Sequence, residues 1–185
     1  MAMIAALQGE SSVFLNLIRT NPDWALAIAR IVFGVVLFPH GAQKMLGWFG
    51  GHGFKNTMQY FTNQVKLPGA VAFLVIVIEF FGSLGLILGL FGRIAAFGII
   101  VVMIGAVMKV HIPHGFFMNW AGNQKGEGFE YHLLAIALAL LIVVKGSGAL
   151  SLDYIWYAHQ AVSETSTSQV LSALTHFVTL SSRFL

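Results

Sequence analysis

The chain has no cysteine, which excludes disulfides, thiol chemistry and cysteine-ligated zinc or iron–sulfur centres. Charge is scarce as well. Only 9% of the residues are Asp, Glu, Lys or Arg, against about 25% in an ordinary soluble domain. Too few polar side chains remain to cover a globule in water. The formal net charge of +3 is small. It suits contact with anionic lipid and gives no argument for nucleic acid. A signal peptide's basic start is also missing from MAMIAALQGESSVFLNLIRTN, where Glu10 breaks the apolar run.

What fills the chain instead is apolar: 57% hydrophobic residues and a mean hydropathy of +0.81. The expected fold is an all-α integral membrane protein, an antiparallel four-helix bundle. Residues 1–23 read as an amphipathic or irregular lead, 24–153 as the membrane domain and 154–185 as a polar or amphipathic tail. In that tail Val170, Leu171, Leu174, Phe177 and Val178 recur at helical spacing and suggest a peripheral amphipathic helix.

Four runs are candidates to span a bilayer: about residues 24–48, 69–90, 93–112 and 129–144, the last of them short. Gly92 and Arg93 leave room only for a tight turn, so the second and third runs form a hairpin. Pro113 disfavours helix at Ile112, and the third run is expected to end near His111. Four spans place both termini on one side. Lys and Arg divide evenly between the two faces, so the positive-inside rule sets no orientation.

Against this apolar background the buried charges stand out. Glu79 lies in the middle of PGAVAFLVIVIEFFGSLGLILGLFG. A carboxylate at that depth costs on the order of 2.5–3.5 kcal/mol unless it is paired. In the first run Arg30, Gly34, Gly41 and Lys44 share a face, and in the second Glu79, Ser83 and Leu86 do. Two small-residue faces of opposite charge are natural partners. An Arg30–Glu79 pair is therefore expected inside the bundle. It would either fix helix register or make Glu79 a proton carrier or polar wall of a ligand site.

A second polar group gathers on the long-loop side: His40, Lys44, His111, His114, Glu127, Glu130 and His132. No pair among them has the HxxxH or ExxH spacing of a helical metal site, and no metal is expected. They read either as solvated headgroup-level residues or as a wet vestibule that passes protons to a redox ligand. Phe116, Phe117, Trp120 and Phe129 form an interfacial belt or a cover for a flat ligand. Gly82, Gly85 and Gly89 offer a face for homo-oligomer packing.

Two segments go beyond composition: ARIVFGVVLFPHGAQKMLGWFGG and HIPHGFFMNWAGNQKGEGFEYHLLAIALALL. With EFFGSLGLILGLFGRIAA between them and GSGALSLD after them, the chain resembles the DoxX family of bacterial and archaeal membrane proteins over about residues 24–153. The resemblance implies a compact four-helix unit in the plasma membrane, tied to redox work. One relative is a subunit of a thiosulfate:quinone oxidoreductase, and another associates with superoxide dismutase and a sulfurtransferase. The family's polar positions fall on Arg30, Lys44, Glu79 and His111, and Glu130 and Tyr131 match the GxEYH pattern of one branch.

The resulting expectation is a quinone-interacting subunit working with a soluble redox partner or a small reductant. Glu79, His111 and Arg30 would be its catalytic core. His40, Lys44, His114, Phe116, Phe117, Trp120 and Glu130 would contact the quinone. The alternatives are a non-catalytic membrane anchor for a soluble redox enzyme and a small proton-coupled transporter.

Overall fold

The computed structural model describes residues 13–160, 162 and 163. The proposed amphipathic tail helix and most of the N-terminal lead lie outside these residues. Helices account for most of the described chain: α1 (13–18), α2 (Trp24–Met45), α3 (Gly53–Asn63), α4 (Gly69–Leu88), α5 (Gly92–Ala106), α6 (Glu130–Lys145) and α7 (152–160). No strand occurs among the described residues.

Each long helix buries a stripe at three- and four-residue spacing. On α4 the stripe is Ala72, Ile76, Glu79, Ser83 and Leu86, and on α6 it is His132, Ala135, Ala139 and Ile142. These stripes meet pairwise: α2 on α4, α4 on α5, α5 on α6 and α6 back on α2. Neighbours run antiparallel. The centre is a cluster of Phe33, Leu37, Leu86, Ile99, Met103, Ala139 and Ile142. The outer faces carry Ile28, Val32, Phe73, Leu74, Phe97, Val101 and Leu134, all exposed. Apolar side chains on both inner and outer faces are what a helix in lipid requires.

Three helical segments are long and apolar enough to cross a membrane: Trp24–Met45, Gly69–Leu88 and Gly92–His114. The chain is thus a multi-pass membrane protein. α6 has 16 residues, about 24 Å of rise, against a hydrocarbon core of about 30 Å.

The α2–α4 contact is backbone to backbone. A methyl at Gly41 would lie 2.7 Å from the Glu79 carbonyl oxygen, and one at Gly34 would lie 2.9 Å from the Ile87 nitrogen. The shared face of Arg30, Gly34, Gly41 and Lys44 is therefore the one that meets α4. The α4–α5 hairpin turns through Gly89, whose φ of 63° closes the C-terminus of α4.

Three details depart from the sequence expectations. The glycine-rich linker after α2 contains the helix α3, whose buried residue is Thr57. The third span leaves α-geometry early, at Ala106, passes through a π turn at Val107–His111 and ends in a 3-10 turn at Ile112–His114. Pro113 enters that 3-10 turn at its start, where its missing N–H costs nothing. Finally, the glycine face assigned to oligomer contacts is used within the chain. Gly82 packs on Ile99, Gly85 on Leu90 and Ala95, and Gly89 on Ser151 and Arg30.

Candidate functional site

The antiparallel register decides which charges meet. Gly41 faces Glu79 and Phe80, while Arg30 lies against Gly89. Ten residues of α4 then separate Arg30 from Glu79, about 15 Å along the helix. The expected Arg30–Glu79 pair does not form. Glu79 instead takes Lys44, whose Nζ lies 2.5 Å from Oε2 and also donates to the His40 carbonyl at 3.3 Å. Lys44 is one turn beyond Gly41, and helical side chains lean toward the N-terminus, so its ammonium falls at the level of Glu79.

Arg30 has a different task. It is fully buried, and its guanidinium donates to five carbonyl oxygens: Leu86, Ile87 (3.0 Å), Ser147 (2.6 Å), Ala149 (3.3 Å) and Leu150 (2.9 Å). Two of these belong to the last turn of α4, where carbonyls have no partner within the helix. Arg93 does the same at the end of α6, donating to Val143 and to Val144 (2.9 Å), and also to Arg19 (3.0 Å). Asp153 completes the set. Its carboxylate accepts from the Phe91 and Gly92 N–H groups at 2.8 and 2.9 Å and from Ser147 Oγ at 2.6 Å. It caps α5 from a distant part of the chain. The GSGALSLD segment is thus a lock that ties together three helix ends.

On the opposite side of the molecule, polar groups converge between α2, α4, α6 and the end of α5. The Lys44–Glu79 pair forms one wall. The His40 and Tyr131 rings lie 6.5 Å apart, Tyr131 and His132 5.7 Å, and His132 and His111 4.1 Å. His111 comes into reach because the π turn widens the helix just before it. Its Nδ1 is 2.8 Å from the Glu127 carbonyl. A carbonyl only accepts, so Nδ1 carries the proton, and in the neutral ring Nε2 is left as acceptor. Two atoms here are buried without a hydrogen-bond partner, Tyr131 Oη and His132 Nδ1. The His132 residue is 7% exposed. This arrangement can donate, accept and relay protons.

The remaining expected residues fall elsewhere. Glu130 is spent on the loop after α5, where Oε1 accepts from Met118 N (3.0 Å) and Trp120 Nε1 (3.3 Å). Trp120 is 87% exposed and Phe117 66%, so neither covers the inner cluster. Phe116 stacks edge-on with Phe117 and Phe129. His114 rests on Gly126, outside the cluster. Of the ten residues expected, Glu79, Lys44, His40 and His111 are brought together. Tyr131 and His132, not among those ten, complete the cluster, although the sequence places His132 in the long-loop polar group. The spacing of His132 with Ala135, Ala139 and Ile142 was the available signal for His132.

The fold and the cluster define a small multi-pass helical membrane protein with a paired charge and a histidine–tyrosine group at one end. A model of the DoxX family matches residues 25–112. The chain is similar to "Putative oxidoreductase CatD" of Bacillus subtilis, 30% identical over 68% of this chain and 82% of that one. It is 33% identical to an uncharacterised protein of Haemophilus influenzae over 75% of this chain and 94% of that one. It is 28% identical to "Inner membrane protein YqjF" of Escherichia coli over 71% and 91%. The chain belongs to the DoxX family. No solved structure matches it at a significant level.

Proposed function

We propose that this chain is a membrane subunit of a redox system, with α6 as its fourth span, in a bacterial or archaeal plasma membrane. Its loop-side cluster takes a quinone headgroup, which is coupled to a partner enzyme or to a small reductant such as thiosulfate. The observation that carries this reading is the pair of orphaned buried atoms, Tyr131 Oη and His132 Nδ1. A buried polar group without a partner costs about 1–3 kcal/mol, and native structures leave few of them. Both atoms lie in one polar cluster with the Lys44–Glu79 pair, and a ligand with two carbonyl oxygens matches such donors. The name of the Bacillus subtilis relative supports the same class of chemistry.

A bound quinone supplies two-electron, two-proton chemistry. The residues of this chain hold and move the protons. Tyr131 Oη and Lys44 Nζ would donate to a carbonyl oxygen, with Glu79 holding the Lys44 ammonium in place. His132 and His111 stand ring to ring between the buried end and the loop, where the Glu127 carbonyl orients His111. Mass spectrometry of small molecules from gently purified protein should find a quinone, and added quinone should raise thermal stability. Protein that carries none and ignores added quinone sinks the proposal.

A second reading, a membrane anchor for a soluble redox enzyme, draws on the Lys44–Glu79 bond, which satisfies both charges without a ligand. Under it, Glu79→Gln should unfold the chain or disperse the complex. A folded Glu79→Gln protein that holds its partner and has lost activity argues against it.

A further inference from the structure

The loop after the third span forms a cleft that the cluster above does not use. It is a shallow, open cleft of about 490 Å³ lined by Pro113, His114, Phe116, Phe117, Gln124 and Lys125. Ligand sites of this size are common. We infer that this cleft binds the headgroup of an anionic phospholipid.

Its charge is the first argument. Lys125 has no carboxylate within ion-pairing distance among the described residues. The two nearby carboxylates of the loop are turned to other work. Glu127 Oε2 accepts from Asn119 N at 2.7 Å, and Glu130 from Met118 N and Trp120 Nε1. The backbone of Gln124 is held at both ends by Asn119, through N to Oδ1 at 2.9 Å and through O from Nδ2 at 3.1 Å, which fixes the loop beside Lys125. The cleft therefore presents an ammonium, an imidazole and an amide with no opposing charge on its lining.

Depth is the second argument. The candidate span Gly92–His114 ends at His114, so the cleft sits where headgroups lie. Its other walls are Phe116 and Phe117, 45% and 66% exposed, which suit the glycerol and upper acyl carbons. The imidazole of His114 is seated by Gly126, where a methyl would lie 2.6 Å from Nε2. A polar floor with an aromatic rim at this depth matches a lipid better than a free ion, which needs no apolar wall.

The test is native mass spectrometry of the full chain in neutral detergent, titrated with phosphatidylglycerol or phosphatidylcholine. Phosphatidylglycerol should be retained in preference. Lys125→Gln should weaken its binding about fivefold, the factor that one lysine contributes at an anionic surface. Gly126→Ala should weaken it as well, by displacing His114. Lys109→Gln, on the same side but outside the cleft, should leave it unchanged. Equal retention of the two lipids overturns the inference. So does an equal loss in Lys109→Gln and Lys125→Gln, which would mean diffuse surface charge. Displacement of the lipid by millimolar inorganic phosphate, with the same sensitivity to Lys125→Gln, reassigns the cleft to a free anion and overturns it too.

Discussion

The two ends of this molecule both bury charge, and they treat it in opposite ways. At the terminal end Arg30, Arg93 and Asp153 are matched chiefly to backbone groups. Arg30 and Arg93 hold the carbonyls at the ends of α4 and α6, and Asp153 holds the first N–H groups of α5. Among the described residues at this end, Arg93 Nε is a buried side-chain atom without a hydrogen-bond partner. At the loop end Lys44 and Glu79 satisfy each other, while Tyr131 Oη and His132 Nδ1 beside them stay unsatisfied. Buried charge therefore does not mark function by itself. Neither does a single unfilled hydrogen bond, as Arg93 Nε shows; what sets the loop end apart is two unfilled atoms on adjacent residues within one histidine–tyrosine cluster, the feature on which the proposed site rests.

Removing the terminal lock should have the largest effect. Arg30→Ala strands five carbonyls, three of them in buried bonds, and losing one side of a buried charged network costs about 3–5 kcal/mol. Loss of folded, monodisperse protein on detergent extraction checks this. Arg30→Lys should rescue little, since three donors on a point charge cannot span five acceptors. Asp153→Asn comes next. It keeps the shape and removes the charge at the start of α5, a loss of about 1–2 kcal/mol readable in equilibrium unfolding. Neither change should alter ligand retention in whatever fraction stays folded. A quinone lost selectively from folded Asp153→Asn protein would break the comparison.

How much of this was legible beforehand follows from what periodicity encodes. The four long helices, the tight hairpin and the meeting faces of α2 and α4 follow from apolar spacing and from Gly34 and Gly41, because close approach needs glycine; α3 does not. The partner of Glu79 did not follow. Spacing along each helix gives a face, but the axial offset between two helices comes from their turns and crossing contacts. A shift of two or three helical turns decides between Arg30 and Lys44. The lock was hidden because it joins side chains to backbone carbonyls, and the sequence carries no mark of an unsatisfied carbonyl. Glu130 reads as a ligand until the loop is seen to fold around it. His132 was within reach, since it starts the buried stripe of α6.

The loop-end pair should respond less than the lock. Lys44 is partly exposed, so Lys44→Met leaves Glu79 able to draw in water. A double-mutant cycle of Lys44→Met and Glu79→Gln should return a coupling of about 1 kcal/mol, in the range of polar pairs in membrane proteins. A coupling near zero would make the pair incidental and remove one wall of the site.

The smallest effect on stability is the most informative. His132→Phe replaces an imidazole by a slightly larger apolar ring among Tyr131, His111 and the α6 stripe. The change discards a buried nitrogen that has no partner, so nothing native is broken. Stability should stay within about 1 kcal/mol of the parent or rise. Quinone retention should fall at least about tenfold if, as proposed, that nitrogen bonds the ligand. His111→Phe makes the contrast, since it breaks the bond to the Glu127 carbonyl and loosens the loop. If His132→Phe is destabilised as strongly as Asp153→Asn and keeps its quinone, then the loop end is a second lock. The unfilled hydrogen bond would then mark nothing.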